Sequence, residues 1–190
     1  MTKATLDNWV EEKKNSAKVA YEQASLPDRV LHLWKYTDPS IFLTDLNNIK
    51  PGKSKTEFSI DDDALKKGVL LLELNDAFKS KGDLLKSYFD KLVSNELNKI
   101  NLLNQALWST GYFLYIPKGI KLEKPVIVKS STDLANFEAK RILIVLEEGA
   151  SVSLIDEVLS PDGLSTFINC VSEIFLGKNA QLSYLNINLT

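Results

Sequence analysis

A short corner between two apolar segments returns three times in the second half of the chain, at a constant step of 30 residues. The segments read LYIPKGIKL from Leu114, IVLEEGASV from Ile144 and IFLGKNAQL from Ile174. The corner holds Gly119, then Gly149, then Asn179, and Gly and Asn are the residues that most easily adopt positive φ. A fixed period of strand, corner and strand is typical of a β-solenoid, whose repeats pair as parallel strands. An antiparallel sandwich with chance similarity among its hairpins is the alternative.

The chain divides into two parts with different residue patterns. Residues 5–26 and 83–109 carry apolar residues at helical spacing, and the run KKGVLLLEL at residues 66–74 is typical of a short strand. After Gly111 the apolar runs become short, rich in β-branched residues and bounded by Gly, Pro or Asn. We therefore predict a mostly helical region with one short strand over residues 1–109 and a β-structured core over residues 110–190.

Composition and charge exclude several classes of protein. The 190 residues carry a formal net charge of −2, which does not fit the basic surface of a nucleic-acid-binding protein. One cysteine and one histidine cannot form an internal disulfide or a structural zinc site. The N-terminal residues lack the apolar region of a signal peptide, and no run approaches the length of a membrane span. We expect a cytoplasmic protein that binds neither nucleic acid nor membrane.

Four stretches, in order, resemble the SufB/SufD family of iron–sulfur cluster assembly scaffold proteins. They are LPDRVLHLWKYTDPSIF at residues 26–42, LLNQALWSTGYFLYIPKGIKLEKPVIV at 102–128, RILIVLEEGASVSLIDE at 141–157 and VSEIFLGKNAQLSYLNIN at 171–188. The resemblance implies an α+β fold: an N-terminal helical region followed by a right-handed parallel β-helix. Right-handedness also follows from the general rule for parallel crossovers. The family's C-terminal helical region has no counterpart here, so we expect the chain to lack the C-terminal part of that fold.

The resemblance also implies a function and partners. Family members are scaffold subunits that act with a SufB-type partner and the SufC ATPase, so the chain is expected not to be an enzyme. We expect no cofactor bound by this chain alone, and a transient iron–sulfur cluster only in the full complex. The expected partners are SufB-like and SufC-like proteins, with a homodimer as the alternative. SufB-type chains carry a sulfur-accepting cysteine where this chain reads VLSPDGLST at residues 158–166, which favours a SufD-like chain.

The cysteine and the histidine are the first candidates for chemistry. Cys170 lies in FINCVSEIF and could accept sulfur or bind a cluster, but clusters normally use several thiolates. We interpret it as a small buried hydrophobic residue in a strand. His32 has no second histidine or cysteine near it in sequence, so we expect a helix-surface or interface histidine rather than a metal ligand or a base.

Aromatic and acidic clusters provide the remaining candidates. The motif at residues 34–37 could be a contact surface, but we expect Trp34 and Tyr36 to be buried packing anchors. Three aspartates at residues 61–63 are typical of a loop or a helix N-terminus, where negative charge is favourable. Asp156 and Glu157 could act in acid–base chemistry, but the positions 30 residues away carry no carboxylates. No catalytic, cofactor or metal residue is predicted.

Two other functions remain open at this stage. A carbohydrate-active β-helix enzyme would need a cleft lined by paired carboxylates, which the sequence does not predict. A protein-interaction module that has lost the assembly role would share the fold and the resemblance, and only binding data separate it from a scaffold subunit.

Overall fold

Helices dominate the described residues of the first half of the chain, and strands dominate those of the second half. The computed structural model describes residues 3–28, 34–42, 49, 52, 54–93, 98–132, 137–160 and 167–189. The helices are α1 (Lys3–Gln23), α2 (Asp62–Lys66), α3 (Leu74–Lys86) and α4 (Lys99–Leu107), with a 3-10 turn at Pro39–Phe42. The strands are β1 (Ser54–Ser59), β2 (Leu70–Glu73), β3 (Thr110–Ile116), β4 (Val126–Thr132), β5 (Phe137–Leu146), β6 (Ser151–Leu159), β7 (Phe167–Leu176) and β8 (Gln181–Leu189).

The strands form two sheets, which we call the first sheet (β1-β4-β6-β8) and the second sheet (β2-β3-β5-β7). Both sheets are mixed, because β1 runs antiparallel to β4 and β2 runs antiparallel to β3. The predicted parallel β-helix is therefore wrong. The repeat determines which strands are neighbours, but residues 54–73 add an antiparallel strand to each sheet. The first half accordingly holds two described strands, whereas the sequence predicted one.

The register of the repeat is confirmed inside the second sheet. Leu114 pairs with Ile144, and Ile144 pairs in turn with Ile174, all in parallel strands. The predicted left-handed corners are also present, with φ of 74° at Gly119, 70° at Gly149 and 60° at Asn179. The corners hydrogen-bond to one another: the N–H of Gly119 donates to the carbonyl of Glu148 at 2.8 Å. Residues that tolerate positive φ thus connect strands of the two sheets.

The second sheet has a buried cluster on each of its faces, because successive side chains of a strand point to opposite sides. Leu114 and Ile144 pack toward the first sheet, against Val128 and Leu154. The other face packs on the helices, and its cluster combines Phe113 and Leu143 with residues of α1, α3 and α4, including Tyr21, Phe78, Leu103 and the nearby Trp108. The molecule therefore has three layers: helices, second sheet and first sheet.

Buried charges join the helical layer to the second sheet. The carboxylate of Glu173 on β7 accepts hydrogen bonds from the backbone N–H groups of residues 90–93, which follow α3. Asp90, at φ 62°, receives ion pairs from Arg141 at 2.9 Å and from Lys13 at 2.6 Å. These contacts give the turn after α3 specific partners on β5, β7 and α1, which fixes its position on the sheet.

The predicted helices are confirmed in outline. The first helical stretch forms α1, while residues 83–109 divide between the end of α3 and α4. Asn98 begins α4 because its side chain accepts hydrogen bonds from the N–H groups of Ile100 and Asn101. Among the described residues, no helix is long and apolar enough to cross a bilayer.

Candidate functional site: a polar cleft between the sheets

The space between the sheets changes character along the strands. On β5, Ile142, Ile144 and Leu146 point toward the first sheet near the corners, and Lys140 lies on the same face two residues earlier. The facing strand β6 repeats this order, because Val152 and Leu154 are followed on the same face by Asp156. The interior is therefore apolar beside the corners and polar at the opposite end of the strands.

At the polar end a cleft of about 400 Å³ opens between the two sheets. The buried side chains of Lys140 and Asp156 line it, together with the half-buried Tyr184. Exposed polar side chains surround its opening, among them Ser172 on β7 and Asn186 on β8. Pockets of a few hundred Å³ with convergent polar groups are the usual form of small-molecule sites.

Lys140 and Asp156 form a fully buried ion pair at the closed end of this cleft. Lys140 Nζ lies 3.6 Å from Asp156 Oδ1 and donates a hydrogen bond of 2.9 Å to Ser130 Oγ. Asp156 Oδ2 accepts hydrogen bonds from Tyr112 Oη at 3.1 Å and from Tyr184 Oη at 2.9 Å. Asp156 Oδ1 has no hydrogen-bond partner among the described residues. Asp156 thus accepts two hydrogen bonds on Oδ2, whereas Oδ1 has only the ammonium of Lys140 near it.

Burial also alters the acid–base properties of the cleft. Desolvation, followed by the negative charge of Asp156, raises the pKa of Tyr112 and of Tyr184 above the ordinary tyrosine value. Both hydroxyls therefore stay protonated at neutral pH and act as donors to the carboxylate. Partial desolvation of the sulfur, whose side chain stays exposed at the cleft, also raises the pKa of the Cys170 thiol, and the positive charge of Lys140 opposes this shift.

Cys170 lies in β7 as predicted, but it is not buried. It is the parallel-strand partner of Lys140, and its side chain is exposed where it lines the cleft. An iron–sulfur cluster is normally held by several thiolates, and this chain has a single cysteine. The residues of the cleft therefore do not fit a resident cluster. Elsewhere too, among the described residues, no three His, Cys, Asp or Glu side chains form a metal site.

A second interior carboxylate lies next to the cleft. Glu138 is buried on β5 and accepts hydrogen bonds from Thr110 Oγ1 at 2.7 Å and from Ser54 Oγ. Both hydroxyl donors bind the same carboxylate oxygen, Oε1. Its role is to join β1, β3 and β5 across the interior.

Asp156 and Glu157 do not form a pair of carboxylates. Asp156 points into the interior, whereas Glu157 lies on the outer face of the first sheet and pairs with Lys129 at 3.2 Å. The structure therefore does not bring these two groups together as the carbohydrate-active enzyme would require.

The three aspartates at residues 61–63 behave as predicted for a helix N-terminus. Asp61 is the N-cap of α2, and its side chain accepts a hydrogen bond from the N–H of Asp63. The hydrogen bond from Lys124 is the main reason that the pKa of Asp61 lies below its ordinary value. This group is exposed and serves the local turn.

The aromatic motif is only partly buried. Trp34 is half-buried and its ring centroid lies 6.1 Å from that of Phe42, but Tyr36 is 84% exposed. The predicted burial of Tyr36 is therefore wrong. His32 lies outside the described residues.

The sequence did not predict most of the residues that form the buried ion pair and its hydrogen bonds. Tyr112, Lys140 and Tyr184 were not candidates, and Asp156 was considered only together with Glu157. One signal was present: in EAKRILIVL, Lys140 occupies the face that carries Ile142 and Ile144. A charged residue in an interior register of an apolar strand indicates a buried polar contact.

Comparison with known proteins identifies the family of the chain. A family model described as the SufBD protein N-terminal region matches residues 53–128. A second, described as the SUF system FeS cluster assembly SufBD core domain, matches residues 127–190. The chain belongs to the SufBD family. The two matches meet inside β4, so both regions contribute strands to the same two sheets.

Curated relatives of this SufBD-family chain carry the name iron–sulfur cluster assembly SufBD family protein. The relative from Staphylococcus saprophyticus is 35% identical over 125 residues, which are 64% of this chain and 26% of that protein. One from Staphylococcus aureus is 36% identical over the same shares of both chains. The match thus spans about a quarter of these relatives' length, and the predicted family is confirmed.

Proposed function

We propose that this SufBD-family chain acts in SUF iron–sulfur cluster assembly as a non-catalytic scaffold subunit. The continuous match of the family's N-terminal region and core domain over residues 53–190 carries this proposal. We further propose a cytoplasmic, SufD-like subunit that works with a SufB-like partner and a SufC-like ATPase. The single cysteine supports a subunit that contributes surface and shape, because one thiol alone is a poor cluster ligand.

An exposed apolar patch on the first sheet supports the partner proposal. Leu185 and Leu189 on β8 are 54% and 51% exposed, and Leu159 on β6 is the strand partner of Leu189. These three leucines, the apolar patch, lie on the outer face, away from the cleft. Clustered exposed leucines on a folded domain are typical of interaction surfaces.

The proposal is tested by mixing the chain with the SufB-like and SufC-like proteins of the same organism and measuring the masses of the eluting species. We expect a complex that contains this chain. Leu185→Lys should weaken it, whereas Ser183→Lys, at an exposed position on the same face of β8, should have a smaller effect. Elution of the wild-type chain alone, with both partners competent for each other, would favour the interaction module without an assembly role.

A further inference from the structure

A groove between α1 and α3 lies in the helical layer, away from the cleft between the sheets. It has a volume of about 380 Å³, and its walls include Val10 and Lys14 of α1, Phe78 and Lys79 of α3, and Trp108. Lys14 Nζ lies 4.2 Å from the centroid of the Trp108 ring, and this indole is 1% exposed. The amine of Lys14 therefore lies against an apolar wall and is reached through the groove.

Lys14 is half-buried without a counter-charge in contact. Among the described residues, no carboxylate forms an ion pair with it, whereas the half-buried Lys13 beside it pairs with Asp90 at 2.6 Å. Desolvation is the main reason that the pKa of Lys14 lies below the ordinary lysine value. The attraction of a cation to the face of Trp108 offsets only part of this cost, because the ring supplies no full counter-charge.

Charged groups on two helices surround Lys14. On α1, Glu11 three residues earlier favours the charged ammonium, and Lys18 four residues later disfavours it. On α3, Lys79 lines the groove and forms an ion pair with Asp76 at 2.8 Å. The opposing charges on α1 leave desolvation as the dominant influence. The neutral, nucleophilic amine is thus more available at Lys14 than at an ion-paired lysine.

We propose that Lys14 is a covalent modification site that accepts acyl groups from acyl phosphates. The lone pair of the neutral Nζ attacks the acyl carbon, so that an amide C–N bond forms and the bond from the acyl carbon to the phosphate oxygen breaks. Phosphate leaves with the electron pair of that bond, and the proton on nitrogen passes to solvent. The product amide is uncharged and needs no counter-charge beside Trp108.

Two other lysines of the same chain provide internal controls. The full 190-residue chain is treated with acetyl phosphate at pH 7.5, and acetylation at each lysine is followed by peptide mass spectrometry. Lys13 is the ion-paired neighbour on the same helix, and Lys178 is exposed. We expect Lys14 to react at least about threefold faster than either. A rate at Lys14 no higher than at Lys13 or Lys178 would overturn the proposal.

Unfolding the chain tests whether the groove causes this preference. In concentrated urea the three lysines should react at similar rates, because the desolvation at Trp108 is lost. A preference for Lys14 that persists in urea would show that the local sequence, and not the folded groove, is responsible, and would contradict the assignment.

Exposed charges on α1 test the electrostatics without disturbing the core. Glu11→Gln removes the charge that favours the ammonium and should raise the rate at Lys14 by about 1.5- to 2-fold, whereas Lys18→Met should lower it. Glu12→Gln is the matched control, because residues two apart on a helix do not face each other, and it should leave the rate unchanged. Equal rates in the Glu11 and Glu12 variants would contradict the proposal. Acetylation is measured on the chain alone, so this inference does not depend on the assembly role.

Discussion

The two ends of the space between the sheets are built on the same strands but differ in chemistry. Beside the corners, Ile144 and Leu154 belong to a closely packed apolar cluster. At the other end, Lys140 and Asp156 occupy the same faces of β5 and β6 and line a cleft. The same two strands therefore form a packed apolar core at one end and a polar site at the other. The side chains, and not the backbone geometry, determine which of the two is formed.

The largest expected effect comes from breaking the buried ion pair. Asp156→Leu leaves the ammonium of Lys140 without a counter-charge and removes the acceptor of two tyrosine hydroxyls, so it should lower the free energy of unfolding by about 3–5 kcal/mol. Denaturant unfolding measures this loss. The double variant Lys140→Met/Asp156→Leu should regain part of it, because no uncompensated charge stays buried. Strictly additive losses would show that the two charges do not act as a pair.

A somewhat smaller loss is expected at the apolar end. Ile144→Ala removes a fully buried side chain between the sheets and should destabilise the protein by about 2–4 kcal/mol. The exposed Leu185→Ala is the matched control and should change stability by less than about 0.5 kcal/mol. Chemical denaturation of both variants provides the comparison, and similar values for the two would refute the assignment of an apolar core here.

The corners should show smaller effects, of at most about 2 kcal/mol. Gly119→Ala forces an alanine to φ 74°, but an added Cβ would meet no atom within 4 Å, so only backbone strain of about 1–2 kcal/mol is expected. Asn179→Gly should be close to neutral, because the site already has φ 60°. Thermal and denaturant unfolding distinguish the two. A loss of more than about 3 kcal/mol for Gly119→Ala would indicate a tight contact that the structure does not contain.

The smallest effect concerns the Cys170 thiol. Because its pKa is raised, the thiolate forms only at higher pH than in an unperturbed thiol, and alkylation by iodoacetamide should need correspondingly alkaline conditions. Lys140→Met, measured where circular dichroism shows that the variant is folded, removes the charge that opposes this shift and should move the pH–rate profile further upward. Lys118→Met, at an exposed corner, is the control and should leave it in place. A profile that moves downward in Lys140→Met would contradict the proposed electrostatics.

The sequence was informative wherever a feature repeats locally. The step between Leu114, Ile144 and Ile174 predicted the parallel neighbours of the second sheet, and the Gly and Asn corners predicted positive φ. The overall class was wrong because β1 and β2 pair antiparallel with strands that follow much later in the chain, at separations of 68 to 78 residues for β1 and 39 to 45 residues for β2. The sequences of these two strands, SKTEFS and LLLE, contain no repeat that indicates their partners. Their antiparallel pairing makes both sheets mixed.

The cleft was harder to predict than the strands. Tyr112 and Tyr184 belong to different sheets and both donate to Asp156, so their proximity depends on how the layers face each other. Cysteine in an apolar strand is usually buried, yet Cys170 is exposed beside the opening of a cleft. Lys140 alone carried a local signal, because it follows the interior register of β5. The spacing of residues within one strand does not predict which side chains of different strands meet in the folded protein.

Reconstitution with iron and sulfide under anaerobic conditions tests the central claim most directly. Iron and acid-labile sulfide are measured for this chain alone and for its mixture with SufB-like and SufC-like partners after gel filtration. The account predicts a negligible content for the chain alone and a cluster that co-elutes with this chain in the complex. A stoichiometric cluster on the isolated chain, or a cluster-loaded partner complex from which the chain is absent, would contradict it.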